Sequence, residues 1–280
     1  MNRFFISIAL CIVSALAIGL ISSQHKVNPP KASHIGLLVV ATGKYSTFIP
    51  QLLESADRFF CPCHKVTYFV FTDQKLPEHP RLITIHQAQL GWPYDSLMRF
   101  SMYRAHKDQL ASCDYLFSCD ADMHFEQVVG DEILSDRVAT QHPQLRFARG
   151  IYETNPLSTA AVARAQGSAY VAGAFYGGTR EEFFTLLDTI HAMITTDLAR
   201  GYIARVNDES YLNKYFVEHP PTCLLSPSYC HFDSWHSPYE RKLVALDKHD
   251  HEKKDLRARP VFNPLGWYVK LLRNELESVT

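Results

Sequence analysis

The chain has 280 residues, of which 46% are hydrophobic and 20% are charged, so it is long and apolar enough to bury one substantial core. Its formal net charge of -1 argues against broad nucleic-acid binding, because such binding needs a surplus of Lys and Arg to neutralise phosphates. The seven cysteines are an odd number without regular metal-ligand spacing, which supports neither a disulfide framework nor a zinc site.

The first element is an apolar segment near the N-terminus. Residues 4–21 are eighteen residues without a charge, and they follow a short tail at 1–3. This length is just enough to cross a bilayer as a helix, which predicts a transmembrane signal-anchor with a linker at 22–33. A cleaved signal peptide is the alternative, since Ala15-Leu16-Ala17 fits a small-residue cleavage site.

The charges on the two sides of this segment do not fix its orientation. The N-terminal side carries Arg3 and the terminal amine, and the C-terminal side carries Lys26 and Lys31. The numbers of positive charges on the two sides are therefore nearly equal, and the positive-inside rule does not decide the orientation. A globular domain after a single N-terminal span is most simply placed on the far side of the membrane. We therefore expect a single-pass membrane protein, of the Golgi type II kind in a eukaryote or in the cell membrane of a bacterium.

From residue 34 onward, strand-like and helix-like segments alternate. Apolar runs predict strands at 35–41, 66–72, 82–85 and 115–119, and helical spacing of apolar residues predicts helices at 48–60 and 95–110. This alternation is typical of an α/β fold whose parallel sheet is covered by helices and binds ligands outside the carboxyl ends of its strands. One catalytic domain is predicted at 34–260, with a C-terminal extension at 261–280.

Two aspartates separated by one residue, Asp120-Ala121-Asp122, follow the predicted strand 115–119. Carboxylate oxygens at a strand end suit a hard divalent cation, which can in turn hold a diphosphate. In nucleotide-sugar glycosyltransferases an Asp-x-Asp element does this with Mn²⁺ or Mg²⁺, and the cation stabilises the departing nucleoside diphosphate. Asp-x-Asp turns are also common in loops, so a solvated turn that caps a helix is the alternative.

A nine-residue segment at 208–216, Asp-Glu-Ser-x-Leu-Asn-Lys-Tyr-Phe, is the most specific motif of the chain. Other distinctive stretches are 40–45, Trp92-Pro93, Met98-Arg99, 120–122, 129–134, His142-Pro143, 173–178 and 226–230. Together they resemble, in content and order, the α1,3-galactosyl/N-acetylgalactosaminyltransferase family that contains the histo-blood-group A and B transferases, glycosyltransferase family 6. The resemblance implies a GT-A type nucleotide-sugar-binding fold, in which helices flank a central mixed sheet within a single catalytic domain.

The resemblance also implies a binding site for a UDP-sugar donor. Val40, Ala41 and Thr42 match the stretch whose backbone binds uracil and ribose, and Tyr45 falls beside it with a ring available for stacking. Arg99 falls near the donor sugar and diphosphate, where a planar guanidinium can bind oxygens in pairs. From the residues alone, Tyr45 could instead be a core aromatic and Arg99 a partner in a surface ion pair.

Glu209 matches the family's carboxylate beneath the anomeric carbon, which acts as nucleophile or stabilises an oxocarbenium-like centre in a reaction that retains configuration. Asp208 beside it would position the hydroxyls of the donor sugar. The alternative is that Asp208 and Glu209 merely begin a surface helix, where acidic residues favour the first turn.

The sugar and acceptor pockets follow from the same comparison. Ala172, Gly173 and Ala174 fall at the donor sugar, and their small size leaves room for an acetamido group, which slightly favours N-acetylgalactosamine over galactose. His142 and Trp92 are expected at the acceptor, with a structural or exposed histidine as the alternative for His142.

The C-terminal part departs from the family pattern in two places. Asp233 matches an acidic acceptor contact only with a shift of one residue. Lys253 and Arg259 have the spacing of a pair that closes over the diphosphate, but Lys254 and Arg257 compete for that role, and a run of charges is usually a solvated face.

The expected reaction is therefore a metal-dependent, retaining transfer of galactose or N-acetylgalactosamine from a UDP-sugar to a galactoside, with or without fucose, in α1,3 linkage. Mn²⁺ is the expected cofactor and Mg²⁺ its substitute. The alternatives are a catalytically silent sugar-binding protein on the same fold and a retaining transferase for another UDP-sugar.

Overall fold

The computed structural model describes residues 32–144, 150–234 and 237–246. The predicted signal-anchor at 4–21, the pair Lys253 and Arg259, and the extension at 261–280 lie outside these residues. In the described ranges, no helix combines the length and the apolar character needed to cross a membrane.

The strands of the described part are β1 His34–Val40, β2 Lys65–Thr72, β3 Leu82–His86, β4 Tyr115–Cys119, β5 Met123–Phe125, β6 Arg137–Gln141, β7 Val171–Thr179, β8 Cys223–Leu225, β9 His231–Phe232 and β10 Leu243–Ala245. They form a seven-stranded sheet with the order β3-β2-β1-β4-β7-β6-β8 and a small sheet with the order β5-β10-β9. The α-helices are α1 Ile49–Phe59, α2 Tyr94–Leu97, α3 Arg99–Arg104, α4 Lys107–Leu110, α5 Arg180–Ala199 and α6 Asn207–Glu218, and short 3-10 helices lie at Gly43–Phe48, Asp131–Ile133 and Pro227–Tyr229.

The large sheet is mixed. β1 pairs in parallel with β2 and β4, and β2 pairs in parallel with β3, as the alternation of strands and helices predicts. β7, however, runs antiparallel to both β4 and β6, so the wholly parallel sheet predicted from alternation is wrong and the mixed sheet implied by the resemblance is confirmed. A Cβ atom on Gly177 of β7 would lie 2.3 Å from the carbonyl oxygen of Leu116, so glycine permits this close pairing with β4.

The single helix predicted at 95–110 is also wrong, because this stretch forms α2, α3 and α4. The backbone leaves the helical region at Met98, with ψ near 3°, and again at His106, with ψ near 21°. The five residues from Arg99 to Tyr103 are all buried. A surface helix would keep one face exposed to solvent, so this stretch is not part of a single surface helix.

Hydrophobic clusters cover both faces of the large sheet. Because successive side chains of a strand point to opposite faces, Leu38 and Leu116 pack with α3, α5 and α6, whereas Leu37 and Phe117 pack with α1 and the small sheet. α1 presents apolar residues at helical spacing to this second face. The sheet is thereby fixed between two layers, and the carboxyl ends of its parallel strands are held at one edge.

Candidate active site

A cleft of about 600 Å³ opens at the carboxyl ends of the parallel strands and is also lined by the first half of β7 and the start of α6. It brings together most of the sequence-predicted site residues, namely Val40, Thr42, Tyr45, Trp92, Arg99, Asp120, Ala121, Asp122, His142, Ala172, Gly173, Ala174, Asp208, Glu209 and Asp233. Ala41 is absent from the lining, because its side chain is buried in the core and its backbone N–H donates to the carbonyl oxygen of Phe71.

The Asp-x-Asp turn lies directly after β4. The backbone N–H of Asp120 donates to the carbonyl oxygen of Ala174 at 2.9 Å, and the carbonyl oxygen of Asp122 accepts from the N–H of Leu246 at 2.9 Å. The first of these bonds ties the turn to β7, and the second ties it to the end of β10. The alternative of a freely solvated turn is wrong, because Asp122 is 4% exposed and the turn forms the floor of the cleft.

Asp120 and Asp122 fit a divalent cation that is shared with a substrate. Among the described residues, no group of three or more His, Cys, Asp or Glu side chains is arranged to hold a metal ion by itself. Mg²⁺ and Mn²⁺ are commonly bound by one or two carboxylates together with phosphate oxygens of the substrate. Two carboxylates beside an open cleft are therefore a suitable donor set for such an ion.

Arg99 lies at the start of α3 between two acidic side chains. Its Nη1 is 2.7 Å from Oδ1 of Asp120, and its Nε is 3.2 Å from Oδ2 of Asp208. Burial opposes the positive charge, but the two carboxylates hold the pKa of Arg99 well above its ordinary value. Arg99 thus connects the Asp-x-Asp turn with the start of α6, and it does not form the surface ion pair considered as the alternative.

Glu209 occupies the first turn of α6 but points into the cleft. Its Oε2 accepts a hydrogen bond of 2.9 Å from the backbone N–H of Gly173 on β7. Burial raises the pKa of Glu209 to about 7, the Gly173 N–H opposes this rise, and the charges of Asp208 and Asp120 add to it. Burial also raises the pKa of Asp208, against the effect of Arg99. These acids do begin a helix, but their side chains line the cleft, and that of Asp208 is only 14% exposed.

Asn213 fixes the position of Glu209 and was not singled out as a site residue from the sequence. Its carboxamide exchanges two hydrogen bonds of 2.9 Å with the backbone of Val171, and its Nδ2 also donates to the carbonyl oxygen of Glu209 at 2.9 Å. This side chain therefore fastens α6 to β7 at the level of the cleft. The signal available in the sequence was its place in the nine-residue segment, one helical turn after Glu209.

Glu153 is a second residue that sequence reasoning missed. This buried carboxylate accepts hydrogen bonds from the hydroxyl of Tyr202 and the N–H of Arg205, both at 2.8 Å, and from the N–H groups of Thr154 and Asn155. It ties the segment around 153–155 to the turn that precedes α6. Burial alone would raise the pKa of Glu153, but these hydrogen bonds hold it below its ordinary value.

The predicted acceptor residues His142, Trp92 and Asp233 also line the cleft. Nδ1 of His142 accepts from the N–H of Gln144 at 3.2 Å, which assigns the proton to Nε2, and burial lowers the pKa of His142. Trp92 is 52% exposed, and Asp233 accepts from Nη2 of Arg241 at 2.9 Å. The cleft lining thus includes an exposed aromatic ring, a neutral imidazole and a carboxylate held by Arg241, which are residue types suited to binding a sugar.

Comparison with known proteins gives a consistent result. The family model "Glycosyltransferase family 6" matches residues 19–258. Globoside alpha-1,3-N-acetylgalactosaminyltransferase 1 of Canis lupus familiaris is 34% identical over 259 residues, which cover 85% of this chain and 75% of that protein. Histo-blood group ABO system transferase 1 of Rattus norvegicus is 38% identical over 208 residues, which cover 70% of this chain and 60% of that protein.

Proposed function

The chain belongs to glycosyltransferase family 6, and we propose that it transfers galactose or N-acetylgalactosamine from a UDP-sugar to a galactoside in α1,3 linkage, with retention of the anomeric configuration. The observation that carries this proposal is the half-buried carboxylate of Glu209, held by the N–H of Gly173 in the same cleft as Asp120 and Asp122. The names of the related transferases from dog and rat support the same class of reaction.

Glu209 is proposed to act beneath the anomeric carbon of the donor sugar. Positive charge develops at this carbon as the bond to the diphosphate breaks, and a carboxylate fixed by the Gly173 N–H opposes that charge without having to reorganise. Asp208, fixed by Arg99, is placed to accept hydrogen bonds from sugar hydroxyls. Because burial raises the pKa of Glu209 to about 7, this role needs a pH at which the carboxyl is ionised.

The charge of the cleft supports dependence on a divalent cation. Its described lining includes the carboxylates of Asp120, Asp122, Asp208 and Glu209, whereas Arg99 is the one Lys or Arg side chain in that lining. Such an excess of negative charge would repel a diphosphate. When bound at Asp120 and Asp122, Mn²⁺ or Mg²⁺ would supply Lewis-acid stabilisation of the departing UDP.

N-acetylgalactosamine is the favoured donor sugar. Ala172 and Ala174 line the cleft beside Gly173, so the wall next to Glu209 is built from small side chains. This leaves space for an acetamido group, and the dog relative is named as an N-acetylgalactosaminyltransferase. A wall that merely leaves space discriminates weakly, so slower use of UDP-galactose is expected as well.

We further propose that residues 4–21 anchor the enzyme in a membrane and that the catalytic domain lies on the far side. The uncharged run of eighteen residues supports this placement. A protein that begins at Lys31 should be soluble and active, because the described fold begins only after that residue. Loss of folding in that shortened protein, even in mild detergent, would contradict the anchor.

The test of the proposed reaction is a panel of UDP-sugars and galactosides, with and without fucose, in the presence of Mn²⁺. Transfer should be fastest from UDP-N-acetylgalactosamine and detectable from UDP-galactose. Slow hydrolysis of these donors without any acceptor would still identify an enzyme. A protein that binds galactosides but neither transfers nor hydrolyses any UDP-sugar would instead be a sugar-binding protein on this fold.

A further inference from the structure

We propose that the side-chain carboxamide of Gln89 recognises the nucleobase of the donor, by accepting a hydrogen bond from N3–H of uracil and donating one to an adjacent carbonyl oxygen. Gln89 lines the cleft but belongs to none of the stretches that resemble the family. The inference rests on the proposed function, since it takes the cleft to bind a uridine diphosphate sugar.

Gln89 follows β3, the strand at one edge of the large sheet, and its carboxamide reaches the backbone at Gly43, which follows β1. β1 is the neighbour of β4, whose end carries Asp120, and neighbouring strands lie about 4.8 Å apart. A nucleotide whose diphosphate lies at Asp120 and Asp122 would therefore extend its base across the end of β1, toward Gln89 and Tyr45 in the lining of the same cleft.

The backbone around Gln89 is held in place. The carboxylate of Asp95 accepts from the N–H of Leu90 at 2.8 Å and from the N–H of Gly91 at 2.9 Å. This side chain thus fixes the two residues that follow Gln89. A recognition group on a segment that is already ordered loses little further entropy when a ligand binds.

The carboxamide itself packs against the backbone that follows β1. A Cβ atom on Gly43, which has φ +53°, would lie 2.7 Å from Nε2 and 2.8 Å from Oε1 of Gln89. Glycine at this position therefore does two things, since it permits the left-handed backbone and leaves room for the carboxamide. The amide group is consequently placed beside the stretch from Val40 to Tyr45, where uracil and ribose are expected.

The hydrogen-bonding capacity of this amide is unused. Within the described residues, no donor or acceptor pairs with the side chain of Gln89, whereas Nε2 of Gln87 donates to the carbonyl oxygen of Ala88 at 2.9 Å. A carboxamide offers one acceptor and one donor side by side. Uracil presents N3–H between two carbonyl oxygens, which is the complementary pattern.

The experiment measures binding of UDP and of 3-methyl-UDP by calorimetry in Mn²⁺, for the wild-type protein and for Gln89→Leu, Gln89→Glu and the control Gln87→Leu. Loss of two neutral hydrogen bonds should weaken UDP binding about tenfold in Gln89→Leu. Gln89→Glu should also bind UDP more weakly, because a carboxylate has no donor for the base carbonyl. Gln87→Leu should bind UDP as the wild type does.

The methylated base separates recognition of N3–H from a general disturbance of the loop. The wild-type protein should bind UDP at least about tenfold more tightly than 3-methyl-UDP, and Gln89→Leu should largely lose this preference. Equal UDP affinity of Gln89→Leu and wild type, or an undiminished preference in Gln89→Leu, would overturn the role of Gln89 while leaving the proposed function intact. A wild-type protein that binds no UDP at all would overturn the proposed function and this inference with it.

Discussion

Replacement of Glu209 by glutamine should remove catalysis and raise stability at the same time. Glutamine keeps the shape of the side chain, and its amide oxygen can still accept from the N–H of Gly173. What it removes is a negative charge at a half-buried position. A carboxylate whose charge acts chiefly in the transition state contributes on the order of 10²-fold to kcat, about 2.7 kcal/mol, so kcat should fall by at least that factor while the donor KM changes little.

The stability effect follows from the raised pKa of Glu209. Below pH 4.5 the carboxyl is protonated in both the folded and the unfolded chain, so its ionisation costs no stability. As the pH rises from 4.5 to about 7, the unfolded chain ionises first and the folded state loses stability, by about 3 kcal/mol once both states are ionised. Glu209→Gln removes this penalty, so it should raise the free energy of unfolding at pH 8 and leave it almost unchanged at pH 4.5.

The assay combines kcat with denaturant unfolding at pH 8 and pH 4.5 on the same purified protein. Glu181→Gln is the matched control, because Glu181 also lies in the first turn of a helix but is exposed. The control should keep its kcat and change stability little at either pH. An unchanged kcat in Glu209→Gln, together with lower stability at pH 8, would refute the catalytic assignment.

Three further substitutions test other parts of the site. Asp122→Asn should abolish transfer and weaken UDP binding in Mn²⁺, because a neutral amide attracts a hard cation less than a carboxylate does; full activity of this variant, or of the wild type in EDTA, would contradict the metal role. Asn213→Leu removes three hydrogen bonds, so unfolding should become easier by about 2–4 kcal/mol and kcat should fall; wild-type kcat in the folded variant would argue against positioning of Glu209. Ala172→Leu should lower kcat/KM for UDP-N-acetylgalactosamine more than for UDP-galactose, and equal losses would show that this wall does not set donor choice.

The buried strands were predictable because their sequences are apolar on both faces. β1, β2 and β4 lie within one residue of the predicted bounds, and the Asp-x-Asp turn therefore follows β4 as expected. The small strands were not predicted, since strands of two or three residues leave no periodic signal. β7 was not predicted as an element either, because its glycines conceal the pattern of a strand.

The break of the predicted helix at 95–110 had a different cause. The stretch is apolar at helical spacing, but five of the six residues of α3 are buried, and tertiary packing then decides where the backbone turns. Contacts between residues far apart in the chain could not be predicted from the sequence either. No local sequence pattern indicates that Arg99 lies between Asp120 and Asp208. The same is true of the hydrogen bond from Arg241 to Asp233.

The candidate residues of the site were identified from motifs rather than from single residue types. The carboxylates at the end of β4 and at the start of α6 were identified because the Asp-x-Asp element and the nine-residue segment at 208–216 resemble a known family, and the fold brings them into one cleft. Residues that only hold other parts of the site in place are not singled out by a motif of this kind. Glu153 and Asn213 became apparent only from the hydrogen bonds that they make with the backbone around α6 and β7.

The most direct test of the central claim is the anomeric configuration of the product formed from UDP-N-acetylgalactosamine and a galactoside in Mn²⁺, determined by proton NMR before the product is purified. The proposed role of Glu209 predicts an α1,3-linked product, with the configuration of the donor retained. A β-linked product, or neither transfer nor hydrolysis of any UDP-sugar by folded protein, would contradict it.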